Sequence, residues 1–91
     1  MSKAIDRVVV LSSQFREDLR YWIETDRKCA LRVLELMEAI LSDPFVGIGK
    51  PEPLRFELAG CWSRRITQEH RLVYRVKSDR VEFVQARYHY E

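Results

Sequence analysis

The stretch from Gly60 to Val76 constrains this chain more than any other. Trp62, Ile66, Leu72, Val73, Tyr74 and Val76 are aromatic, β-branched or aliphatic, as a half-buried sheet requires. The polar residues between Ile66 and Arg71 read as the turn joining two strands. Four arginines, Arg64, Arg65, Arg71 and Arg75, are set into that framework. A guanidinium planted on a paired strand is held by the backbone, and a rigid cluster of bidentate donors suits a phosphate better than it suits a core.

The charge distribution points the same way. The chain has 91 residues and a formal net charge of +2. Residues 1–49 carry seven basic against eight acidic side chains, whereas residues 60–91 carry seven against four, so the basic bias sits on the predicted strands. Such a bias favours an anionic partner but is weak beside the basic faces of dedicated DNA-binding domains. At 46% hydrophobic and 33% charged the composition is that of an ordinary globule, and the length allows one domain spanning residues 1–91, with residues 1–5 readable as a loose end. Cys29 and Cys61 match no metal or redox spacing and read as buried thiols, one on a helix and one on a strand. With neither a signal peptide nor a long apolar run, the chain reads as cytoplasmic, with both thiols reduced and no membrane role.

Along the chain, Arg7 to Leu11 fits a strand. Ser12 and Ser13 offer an N-cap, and Phe15, Leu19, Trp22 and Ile23 form one helix face. Thr25-Asp26 breaks that helix and can cap the next, which predicts a tight helix–helix turn. The second helix, about Arg27 to Ser42, carries the stripe Ala30, Val33, Leu34, Met37, Ile40 and Leu41; Asp43-Pro44 ends it. Phe45 to Pro53, rich in glycine and proline, reads as a loop. Leu54 to Leu58 fits a strand, Ala59-Gly60 a turn, and Val81 to Tyr90 a long closing strand. Short turns between consecutive strands imply antiparallel pairing. The predicted fold is α+β: two N-terminal helices packed on one face of a twisted, mainly antiparallel sheet of four to five strands, the other face left open for the arginines.

In that fold the loop carboxylate Glu52, the strand residues Arg65 and Arg71, and the near-terminal His89 and Tyr90 come together. Cleaving an RNA phosphodiester by its own 2′-hydroxyl needs a base, an acid and cations for the charge that builds on the phosphoryl oxygens. Glutamate, histidine and arginine supply these without a metal. The residues also have plainer readings: Glu52 as a solvated loop side chain, His89 as a surface residue, His70 as a turn or packing histidine, Arg64 and Arg75 as partners of Glu69 or Glu82, Tyr88 and Trp62 as core. Two points of register stay open. Arg65 and Arg71 share a face only if the turn around Gln68 has an odd register, and His89 and Tyr90 serve one site only if the terminal strand curls.

Several stretches resemble a known family: Tyr21-Trp22-Ile23-Glu24-Thr25-Asp26, Pro44-Phe45, Gly47 through Leu54, Trp62-Ser63-Arg64-Arg65-Ile66-Thr67, Glu69-His70-Arg71-Leu72-Val73-Tyr74 and Arg87-Tyr88-His89-Tyr90. Together they are similar to the YoeB/Txe toxins of the RelE/ParE superfamily, from Val8 onward. The resemblance implies a RelE-like, microbial-RNase-like fold and a toxin of a type II toxin–antitoxin pair that cuts messenger RNA on the ribosome. It implies Glu52 as general base, His89 as general acid, Arg71 helped by Arg65 as the phosphate clamp, and Tyr90 as the residue that positions the nucleotide. Lys50, Arg55 and Arg64 would contact RNA or the ribosome. No metal or cofactor is implied. The expected partners are a YefM-like antitoxin, the ribosome, a second copy in a homodimer, and operator DNA only through the antitoxin complex. Glu91 extends the chain beyond the tyrosine at which the family commonly stops; a carboxylate there favours a protonated imidazole on His89. The competing readings are a ParE-like toxin that inhibits by binding alone, and a co-repressor acting within a toxin–antitoxin–operator complex.

Overall fold

Two capping residues set the N-terminal half. The computed structural model describes residues 7–88. Strand β1 (Val8–Leu11) leads into α1 (Ser13–Thr25) through Ser12, whose hydroxyl accepts the Phe15 N–H at 3.0 Å and donates to the Val84 carbonyl at 2.6 Å. One serine thus caps the helix and fastens it to a segment 72 residues further along the chain. Asp26 serves both helices: its N–H closes α1 on the Trp22 carbonyl at 2.8 Å, and its carboxylate accepts the Cys29 N–H at 3.3 Å to open α2 (Arg27–Ser42). The tight helix–helix turn predicted from Thr25-Asp26 is therefore one residue long.

Strands β2 (Glu52–Pro53), β3 (Cys61–Arg65), β4 (Arg71–Val76) and β5 (Arg80–Gln85) complete a five-stranded sheet of order β1-β5-β4-β3-β2. All pairs are antiparallel except β1 with β5, which run parallel from Val8 opposite Arg80 to Leu11 opposite Phe83. The first strand thus lies beside the last, and the chain reaches the other edge only after both helices. Phe15, Trp22, Val33, Leu36 and Ile40 from the helices bury against Leu72, Tyr74, Val81 and Phe83 from the sheet. The rings of Phe15 and Phe83 lie 5.4 Å apart. Burying each such side chain is worth about 1.5–3 kcal/mol, and this one layer carries the fold.

The helix stripes differ from expectation at three positions. Leu34 and Ile23 are exposed, whereas Leu36 is fully buried; the sheet covers a narrower arc of each helix than apolar spacing suggests. Leu54 to Leu58 is not a strand. It holds a single 3₁₀ turn, Phe56–Leu58, entered through Phe56 at φ +59°, a left-handed backbone that ends any ladder. The strand here is the two-residue β2, inside the segment that reads as loop; Pro53 is tolerated because β2 is an edge. The closing strand stops at Gln85 instead of reaching Tyr90. A shift of register between Val73 and Tyr74 and side-chain claims on the Ala86 backbone, described below, take the chain out of the ladder.

Two outcomes test this reading. Asp26→Ala should cost about 0.5–2 kcal/mol in urea denaturation through loss of the α2 cap, while Asp26→Asn should cost little. Where β4 pairs with β5, Arg80 donates to Glu82 at 2.7 Å and Arg75 lies 3.9 Å away. The hydrogen bond from Arg80 holds the Glu82 carboxyl below its usual value. A depressed carboxyl stabilises the fold above its unfolded pKa, and that contribution is lost as pH falls through the folded value. Melting temperature measured against pH in Glu82→Gln should lack this acid-side decline.

Candidate active site

Cross-strand partners share a face of a sheet, so the β3–β4 register sorts the four arginines. Arg65 stands opposite Arg71, Ser63 opposite Val73 and Cys61 opposite Arg75. These residues point away from the helices. The turn is centred on Gln68, with the Ile66 and Thr67 N–H groups both donating to the His70 carbonyl; this is the odd register that brings Arg65 and Arg71 together. Glu52 pairs with Ser63 across the β2–β3 ladder and joins the same face. Its carboxylate accepts from Arg71 Nη1 at 2.6 Å, and the same nitrogen lies 3.1 Å from the Ser63 hydroxyl. Glu52 is 57% exposed and Arg71 only 19%, so the acid faces solvent while the cation is sunk beneath it. Arg65 forms no ion pair among the described residues. The face is not bare, because Cys61, Ser63 and Val73 are buried on it, with Arg71 against Ser63 and Arg75 3.4 Å from the Cys61 sulfur.

Arg64, one residue along, faces the other way. It is fully buried, which overturns its reading as an RNA contact. Its guanidinium donates to the carbonyls of Asp43, Val46 and Ile48 and to the Tyr74 hydroxyl, which in turn donates to the Pro44 carbonyl at 2.7 Å. Burial pushes the Tyr74 phenol up from its ordinary value, outweighing the opposing pull of the Arg64 cation. No carboxylate pairs with Arg64 among the described residues. Backbone dipoles carry the compensation, including the carbonyl of Asp43, the C-cap of α2, at a helix end where a cation is favoured. The loop needs its glycines for this. A Cβ on Gly47, at φ +139°, would meet Arg64 Nη1 at 3.0 Å, and one on Gly49, at φ +85°, would meet Leu36 at 2.9 Å. The Gly49 carbonyl then accepts the Arg65 N–H at 2.7 Å, which delivers the chain through Lys50-Pro51 to Glu52.

Lys50 sits at φ +54°, exposed at the entry to β2. Arg55 is exposed and caps the 3₁₀ turn without a side-chain bond. A groove of about 590 Å³ is lined by residues 52–58, with Glu52 and Arg55 on it; Phe56, beside them, is 84% exposed. His89 and Tyr90 lie outside the described residues, as does Glu91. The chain that leads to them does bend: Tyr88 has φ +62° and is exposed, not core. Trp62 is half-buried against the core and packs on Phe45 at 5.0 Å. Sequence reasoning missed Ser63, whose place two residues before Arg65 on one strand was the available signal. Among the described residues no group of three or more His, Cys, Asp or Glu could hold a metal ion, and no helix is long and apolar enough to cross a membrane.

The arrangement offers an exposed carboxylate, a semi-buried guanidinium in contact with it, and a second guanidinium across the strand. It can bind an anionic oxygen and take a proton beside it. A family model described as "YoeB-like toxin of bacterial type II toxin-antitoxin system" matches residues 11–90. The chain belongs to this family. Among the YoeB relatives, toxin RelK of Mycobacterium tuberculosis is 58% identical over 74 residues, covering 81% of this chain and 87% of RelK. The YoeB dimer of Staphylococcus aureus superimposes with a TM-score of 0.86 at 38% identity, covering 94% of this chain and all of that one. The YoeB–YefM complex from the same organism gives 0.82 at 37%, with the same coverage. YoeB-like membership makes the protein a toxin of a type II toxin–antitoxin system.

Replacing Arg64 by methionine leaves three part-buried carbonyls without their side-chain donor, each costing about 1–3 kcal/mol. We expect Arg64→Met to lower stability by at least about 3 kcal/mol in chemical denaturation and to open the segment 43–49 to limited proteolysis.

Proposed function

We propose that the toxin is a ribosome-dependent messenger RNA endoribonuclease that works without a metal. The observation that carries this reading is the contact of Glu52 with Arg71, on a sheet face where Arg65 stands directly across from Arg71. In the reaction the substrate 2′-hydroxyl attacks the adjacent phosphorus and gives its proton to Glu52. The 5′-oxygen leaves and takes a proton from His89. The products are a 2′,3′-cyclic phosphate, or the 3′-phosphate after hydrolysis, and a 5′-hydroxyl. Arg71, with Arg65, meets the charge that builds on the phosphoryl oxygens; donors aimed at developing charge act most strongly where water is scarce, and Arg71 is largely shielded. When a phosphate enters, it competes with Glu52 for Arg71, which frees the carboxylate to accept the proton. Tyr90 positions the scissile nucleotide, and Lys50 and Arg55 contact the RNA backbone.

The solved relatives support the partner assignments. A homodimer and a YefM-like antitoxin are the proposed partners, operator DNA is reached only through the antitoxin complex, and the place of action is the cytoplasm.

The test maps messenger RNA 5′ ends in a purified translation system, with and without ribosomes. The wild type should give sharp cuts only with ribosomes. Glu52→Ala and His89→Ala should each slow cleavage about 10²–10⁴-fold, and Arg71→Ala about 10²–10³-fold. A wild type that halts translation without cutting would replace this reading with an inhibitory binding toxin.

A further inference from the structure

After β5 the chain is held by side chains instead of a ladder. The Asp18 carboxylate, buried within α1, accepts the Ala86 N–H at 2.9 Å, and the Trp22 indole N–H donates to the Ala86 carbonyl at 2.8 Å. Two residues on, the Tyr88 N–H donates to Nδ1 of His70 at 2.7 Å, while the Tyr88 carbonyl accepts the Arg71 N–H at 2.9 Å. Between those two bonds Tyr88 sits at φ +62°. That conformation is unfavourable for a non-glycine residue and persists only where the surroundings over-determine it. The His70 ring is itself fixed, edge-on to Trp22 with centroids 4.8 Å apart at 82°. A ring nitrogen that accepts a hydrogen bond carries no proton, so the imidazole proton is on Nε2, 4.0 Å from the exposed Glu69 carboxylate.

We propose that His70 is a positioning residue for cleavage: its unprotonated Nδ1 locks Tyr88 in the left-handed conformation and so fixes the point from which the chain continues to His89. The proposal rests on the reading of His89 as general acid. Proton delivery depends on placement, and a shift of about 1 Å can cost on the order of 10²-fold. One hydrogen bond opposing a strained backbone is therefore a place where a large kinetic effect can arise with a small change in stability. The neighbouring Arg71 makes the coupling tighter, because its backbone holds the other end of the same residue while its side chain meets Glu52.

The test compares His70→Leu, His70→Gln and His70→Asn in the full chain. Asparagine places its Oδ1 at the same bond separation from Cβ as Nδ1 and can accept from Tyr88; glutamine carries its acceptor one bond farther out, and leucine has none. Single-turnover cleavage on saturating ribosomes should fall about 10–10²-fold in the leucine and glutamine variants. It should stay within about threefold in the asparagine variant, which keeps the bond. Ribosome binding, read by co-sedimentation, should be unchanged in all three. If leucine does not fold, glutamine carries the comparison. Nitrogen NMR of the wild-type imidazole should find the proton on Nε2. Wild-type rates in the leucine and glutamine variants, equal losses in asparagine and leucine, or a protonated Nδ1 would each overturn the proposal while leaving the nuclease reading intact. A wild type that does not cut would overturn both.

Discussion

A positive charge buried without a negative partner among the described residues is the constraint from which the site follows. Arg64 is accommodated only because the chain from Asp43 to Ile48 turns three carbonyls inward and Tyr74 adds its hydroxyl. Desolvating a guanidinium is costly unless its donors are matched, so the loop has little freedom to take another path. The same loop then passes its Gly49 carbonyl to the Arg65 N–H and emerges as β2. The position of Glu52 on the opposite face is thus set from beneath by a residue that never reaches that face.

This explains how one run of arginines divides its labour. Adjacent residues on a strand point to opposite sides, so Arg64 and Arg65 cannot share a role. Arg64 is a structural cation inside the α/β layer. Arg71 contacts Glu52, and Arg75 lies near Glu82 and over Cys61. Arg65 completes the face without an ion-pair partner among the described residues. Local positive charge on the sheet is therefore unevenly neutralised, and the least neutralised part lies beside the candidate base.

Much of this was legible in the residues themselves. Ser12 and Asp26 announced the helix starts, the α2 bounds agree with the apolar period, and the β3–β4 turn takes the odd register, one of the two that the sequence left open. What was not legible depends on tertiary claims. Leu54–Leu58 has strand-forming composition, yet Phe56 turns left-handed and the segment becomes a 3₁₀ turn. Val81–Tyr90 has the composition of one strand, but Asp18 and Trp22 take the backbone of Ala86. A charge pattern does not say which arginine is buried, because that depends on carbonyls contributed from a loop some twenty residues away. His70 looked like a turn residue and is one; its bond to Tyr88 joins residues 18 apart and leaves no mark in local sequence.

The parallel pairing of β1 with β5 has a consequence for how the molecule is made. Ser12 and Val84, which meet in the finished sheet, are 72 positions apart. At about 5–20 residues per second, a ribosome needs on the order of 4–14 s to synthesise the span between them. Through that interval β1 has no neighbour, and the core between α1 and the sheet lacks Val81 and Phe83. Contacts of such long sequence separation also close slowly. The protein therefore assembles last-strand-last: the core stays incomplete until β5 has been made, and its birth on the ribosome is separated in time from the moment it becomes a folded toxin.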